Sequence, residues 1–170
     1  MKAKATSMLL VLICVLFLGS CNENRGIIVS EGVRSDARMD QIISALKDRD
    51  SAALKSLFSE KALDETNDID SEIIRLFDFF QGEIESWEKD GWASSESVRY
   101  GKKSLMIRFE FDIKTDIDAY TFFVMDYNTD TINRSNEGVF MLEVSKSSYS
   151  GEWKGWQERM RAGIAIYQNN

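Results

Sequence analysis

Residues 104–114, "SLMIRFEFDIK", place Leu105, Ile107, Phe109, Phe111 and Ile113 in one phase and Arg108, Glu110, Asp112 and Lys114 in the other. Only an extended chain, whose side chains alternate with a period of two, gathers those five apolar groups on one side. The segment is therefore a half-buried strand. Its apolar face must be covered by a second layer of structure.

That layer is supplied earlier in the chain. In "SDARMDQIISALKDRD", Met39, Ile42, Ile43 and Leu46 recur at helical spacing, with Ser35 or Asp36 as the expected cap. "DRDSAALKSLFSEKAL" reads as a second helix capped by Asp50, with Ala53, Leu54, Leu57 and Phe58 facing one way. "DIDSEIIRLFDFFQGE" is a third. It carries the stripe Ile73, Leu76, Phe77 and Phe80, acids Asp68 and Asp70 at its positive end, and Gly82 as its stop.

After the helices the period stays near two. "ASSESVRY" is a weaker strand joined through a "YGKK" hairpin to the alternating one. "TDID" turns into "AYTFFVMDYN", which is apolar in both phases, and "VFMLEVSK" follows a polar loop. With no proline in the chain, these turns fall to Gly, Asn and Asp. The final segment, "EWKGWQERMRAGIAIY", fits either a short helix or an extended return to the sheet. Helices first and an antiparallel meander second is an α+β pattern. Helices cover one face of such a sheet. The other face, with Phe123, is then expected to stay partly open and to meet a protein partner or a second copy, unless Trp153 and Trp156 cover it.

The N-terminus has a different character. "MKAKATS" carries Lys2 and Lys4 without an acid, and the apolar run Met8–Leu18 is 11 residues long. About 20 are needed to cross a bilayer as a permanent span. A basic start, a short apolar run and small residues after it read as a signal peptide. Leu18-Gly19-Ser20-Cys21 resembles the lipobox of bacterial lipoproteins, which implies cleavage before Cys21 and lipid, palmitate included, on that cysteine. Two or more acyl chains anchor a protein stably where one does not. Residues 1–20 are thus expected as signal peptide, 21–34 as a flexible tether and 35–170 as one folded domain. The expected location is the extracytoplasmic face of a cell membrane, in the envelope, with the membrane as partner through lipid on Cys21.

Charge and cysteine content agree with that placement. The other cysteine, Cys14, would leave with the signal, so the mature domain has no disulfide. Loss of Lys2 and Lys4 takes the net charge from −7 to −9. That argues against nucleic acid as a partner and against direct adhesion to anionic lipid, so the lipid on Cys21 is expected to do the anchoring.

The order of three helices, the exit "FFQGEIES", the strands with "YGKK" and "TDIDAYTFFV", and the terminal "GIAIY" resembles the DUF5104 lipoproteins of Firmicutes over roughly residues 35–168. That family is of uncharacterised function. The resemblance implies an NTF2-like fold, in which helices pack on a curved antiparallel sheet to form a cone. It supplies no catalytic residues to carry over, and folds of this kind host enzymes, receptors and scaffolds alike.

Among chemical motifs, histidine is absent, which removes the commonest general base and metal ligand. "DETNDIDSE" is acidic, but Ile69 stands where a calcium loop needs glycine. No phosphate loop or nucleophile elbow occurs. No metal and no cofactor are expected. The aromatics of the sheet are the remaining candidates: Tyr120, Phe122, Phe123, Trp87 and Trp92 would line a cavity or meet a partner, or else fill the core. The residues favour a non-enzymatic ligand- or protein-binding domain. The alternative is an extracytoplasmic NTF2-like enzyme using a buried carboxylate, Asp112 or Asp126.

Overall fold

The structure is a computed structural model and describes residues 30–151 and 160–169. Cys14, Cys21 and the lipobox lie outside these residues, as do Trp153 and Trp156.

Helix α1 spans Glu31–Asp48 and buries Met39, Ile42, Ile43 and Leu46, the expected stripe. It begins earlier than expected, inside the stretch read as a tether. Ser30, not Ser35 or Asp36, accepts the capping bond from the Val33 N–H. Ser35 is instead buried, its hydroxyl bonded to the Gly32 carbonyl. The helix ends at Arg49, whose left-handed conformation (φ 48°) lets its N–H reach the Ala45 and Leu46 carbonyls.

The second expected helix is two short ones, α2 (Ser51–Ser56, capped by Asp50) and α3 (Glu60–Glu65, capped by Ser59). Phe58 causes the break. It forms a parallel bridge with Val139, through Val139 N–H to the Leu57 carbonyl (2.8 Å) and Ser59 N–H to the Val139 carbonyl (2.9 Å). Those backbone groups cannot also serve a continuous helix. Gly138 makes the approach possible: at φ 121° a side chain there would stand 2.9 Å from the Ser59 nitrogen. Helix α4 (Ile69–Phe79) is capped by Asp68 and buries Ile73, Leu76 and Phe77, with Phe80 following as its C-cap.

Five strands follow: β1 (Ile84–Arg99), β2 (Lys102–Thr115), β3 (Ala119–Asp130), β4 (Gly138–Lys146) and β5 (Gly163–Tyr167). They form one sheet in chain order, antiparallel as far as β4. Two expectations are corrected here. The strand before "YGKK" begins at Ile84, well upstream of "ASSESVRY". "GIAIY" is an extended return that runs parallel to β4, so the sheet is mostly rather than wholly antiparallel. Register shifts at Lys89/Gly91, Leu105/Met106 and Met125/Asp126 are bulges, which bend and twist the sheet into its curved form.

The inner face of the sheet closes on the helices. Leu105, Ile107, Phe109, Phe111 and Ile113 of β2 are buried, and opposite them lie Tyr120, Phe122 and Val124 of β3. Leu142 and Val144 of β4 and Ile164 of β5 continue the same buried cluster. Alternation in the sequence thus translates directly into one continuous apolar layer.

Candidate functional site

The aromatic candidates part company in the structure. Tyr120 and Phe122 are fully buried on the inner face, packed on Phe80 with ring centroids 4.7 and 5.8 Å away. The Tyr120 hydroxyl accepts a bond from the Gln81 N–H at 2.9 Å and donates to the Phe79 carbonyl at 3.3 Å. Both side chains fill the core and have no surface left for a partner. Trp87 is half-buried against Phe111, at 5.2 Å. Trp92 is 45% exposed, beside the first turn of α1. Phe123 stands on the opposite face of the sheet, half-buried.

That opposite face is less open than expected. Met125, Met141 and Glu143 are buried there at the β3–β4 pair, and the Tyr167 hydroxyl donates to Glu143 at 3.0 Å. The open part lies toward β1 and β2. Gly91, Trp92, Ala93, Arg108, Phe109, Glu110 and Phe123 line a cleft of about 270 Å³ there. It sits on the Lys89/Gly91 bulge, and a side chain at Gly91 would meet nothing within 4 Å. The absent side chain leaves the floor of the cleft free. Of the expected contact residues, Phe123 faces this cleft, whereas Trp92 borders it beside Gly91 but pairs with Phe109 on the helix-covered face, its ring against Gly32. Arg108 and Glu110 are the polar members, which the alternating pattern marked only as a solvent face.

Two further clefts open at the other end of the sheet. One, of about 540 Å³, has Arg75, Lys146, Gln81 and Gln168 around Phe79 and Ile166. The other, of about 330 Å³, lies between Leu46 and Lys47 of α1 and the β2–β3 turn at Asp116 and Ile117.

The two candidate carboxylates also separate. Asp112 is on the outer phase of β2 and accepts a bond from the Thr121 hydroxyl at 2.7 Å. Asp126 lies on the inner face, 1% exposed, with Arg38 of α1 donating to its Oδ2 at 3.2 Å. Its Oδ1 is buried without a hydrogen-bond partner. Burial pushes the carboxyl above its ordinary pKa, and the Arg38 charge only partly offsets this. None of the three clefts is lined by Asp126. Sequence reasoning did not find Arg38. The available signal was a lone acid inside the apolar run "FFVMDY", since a charge buried there requires a counter-charge from the covering helix.

Among the described residues, no group of His, Cys, Asp and Glu side chains is arranged to hold a metal ion. No helix among them is long and apolar enough to cross a membrane.

A family model described as a domain of unknown function, DUF5104, matches residues 41–158. The chain belongs to the DUF5104 family. The matched DUF5104 region runs from within α1 to beyond β4 and contains the whole cleft at Gly91, with Trp87, Tyr120 and Phe122 as well. Cys21, Arg38 and β5 lie outside it. A comparison with curated proteins found no match.

Proposed function

We propose that this DUF5104 chain is a lipid-anchored, extracytoplasmic binding domain with an NTF2-like arrangement, and not an enzyme. The observation that carries the binding reading is the cleft at Gly91, where Phe123 meets Arg108 and Glu110 on the open part of the sheet. An apolar wall with one cation and one anion suits a ligand or peptide segment that has both an apolar and a polar part. The lipobox-like Leu18-Gly19-Ser20-Cys21 supports the anchor. Helices on one face of a bulged, curved sheet support the NTF2-like reading.

An enzymatic alternative draws on Asp126, a buried carboxylate with a raised pKa, as a general base requires. A general base must come within hydrogen-bond reach of its substrate. Asp126 is closed off under α1 and held by Arg38, which weighs against that role.

The test compares the full chain with Phe123→Asp. A thermal-shift screen against small apolar and amphiphilic envelope compounds, with pull-down from solubilised membranes, should yield binding that the substitution removes while the melting temperature of the free protein changes little. Binding that survives Phe123→Asp but is lost on Lys146→Glu would move the site to the larger cleft. Turnover abolished by Asp126→Asn would favour the enzyme.

A further inference from the structure

The molecule has two unlike ends. At one lie the tip of the β1–β2 hairpin and the β3–β4 loop, tied by the Thr131 N–H to Lys103 carbonyl bond. At the other lie Ile84, the β2–β3 turn with Asp116 and Asp118, and the C-terminal end of α1.

The hairpin tip carries an unusual residue. Tyr100 and Gly101 form its two-residue turn, both at positive φ (50° and 74°). Such a turn favours Asn-Gly or Gly-Gly. A tyrosine pays for the left-handed conformation with about 1–2 kcal/mol. Nothing is gained by packing, because Tyr100 is fully exposed, and Val98 beside it is 62% exposed. Ile132 in the neighbouring loop adds a third exposed apolar side chain.

Around them stand cations. Arg99, Lys102 and Arg134 are exposed and have no ion pair among the described residues. Lys103 is paired with Glu96 at 2.8 Å. The other acids at this end are engaged inward. Asp130 is buried and accepts bonds from Ser104, Asn136 and the Ile132 and Asn133 N–H groups. Glu137 accepts from the Asp130 N–H. In a chain of net charge −7, this end presents free positive charge beside exposed aromatic and aliphatic groups. The opposite end has Glu83, Glu85, Asp78, Asp116 and Asp118 among Lys47, Arg49, Lys114 and Lys146, and several of these are paired with one another.

The start of α1 shows that the tip lies within reach of an anchor, and the exposed apolar groups and cations single out the tip from the other end. Gly32 lies against Trp92 and Lys89, Arg34 bonds Asn128, and Leu46 lies at the Ile84 and Ile117 end. Trp92 stands midway along β1, as far in sequence from Ile84 as from Tyr100, so the chain enters α1 beside the middle of the sheet. Trp92 to Tyr100 is about 26 Å of strand. The nine residues from Cys21 to Ser30 reach at most about 30 Å. A lipid on Cys21 thus keeps the tip within reach of the bilayer surface.

We propose that the hairpin tip, Val98–Lys102, is a second membrane contact. In this contact Tyr100 and Val98 enter the interfacial layer while Arg99, Lys102 and Arg134 meet anionic headgroups. The proposal rests on the lipid-anchored reading. It uses the chemistry that suits a bilayer interface, amphipathic aromatics flanked by cations. It also gives the domain a fixed orientation, with the end at Asp116 and Asp118 and its two clefts pointing away from the membrane.

The test uses the lipid-carrying chain in phosphatidylcholine vesicles, with and without phosphatidylglycerol. Tyr100→Cys and, at the far end, Ile117→Cys each carry a fluorophore, and headgroup-labelled lipid is the quencher. Both positions are exposed, so the labels do not perturb the core. Quenching at 100 should exceed that at 117 several-fold, rise with phosphatidylglycerol and fall when Arg99→Glu and Lys102→Glu are added. Equal quenching at the two positions overturns the proposal. Self-association of labels at 100 without lipid quenching overturns it too, and assigns the tip to a second copy. Mass spectrometry of the same sample reads the anchor separately. A lipidated chain that fails at position 100 loses only the tip contact, whereas a chain without lipid loses both readings.

Discussion

Asp126 is a charged group placed where the strand pattern asks for an apolar one, and its cost depends on pH. Its folded pKa is raised above the ordinary 3.8, chiefly by burial. Between those two values the folded state binds more protons than the unfolded state, so this group makes stability rise as pH falls through that window. Asp118 has the opposite sign. Its salt bridge to Lys146 lowers its pKa, so its contribution is present above 3.8 and is lost as pH falls through the lowered value. Arg38→Ala should be costly at neutral pH, at the lower end of about 3–5 kcal/mol, because it strands a buried charge while Arg38 itself keeps some solvent contact. The cost should shrink in mild acid as Asp126 takes up its proton. Urea melts at the two pH values check this, and an equal cost at both would show that Asp126 is not ionised in the folded protein.

At the scale of elements, the local patterns were legible and the long-range ones were not. The stripes Met39–Leu46 and Ile73–Phe77 are buried as their spacing requires, as is the alternating face of β2. These signals lie within single elements, so a sequence carries them whole. The break at Phe58 was not legible, because its cause is Val139, about eighty residues away. Strand β1 was underestimated because Ile84–Ala93 has little alternation; its extension follows from pairing with β2. The parallel placement of "GIAIY" likewise depends on β4. For the cleft, Phe123 was visible as an aromatic, whereas the bulge that opens space at Gly91 and turns Trp92 to the helix-covered face was not. The Phe58 junction offers a test. Ser59→Ala should cost about 1 kcal/mol as a lost helix cap. Gly138→Ala should cost more, since it adds a left-handed penalty and a contact with the Ser59 backbone. Equilibrium melts that reverse this order would mean the α2–α3 junction does not depend on the close approach of β4.

For the molecule as a whole, one buried cluster joins the helices to the inner face of the sheet, and the clefts lie on the outside. A domain of this kind acts through its surface, and an anchor decides where that surface is presented. The proposed function therefore depends most on Cys21. The direct measurement is metabolic labelling of cells making the full chain with a fatty-acid analogue, beside Cys21→Ser. The account predicts label on the wild-type chain in the membrane fraction, and for Cys21→Ser an unlabelled chain that is released or left as precursor. Equal labelling of the two, or a wild-type chain that carries no label, would contradict it.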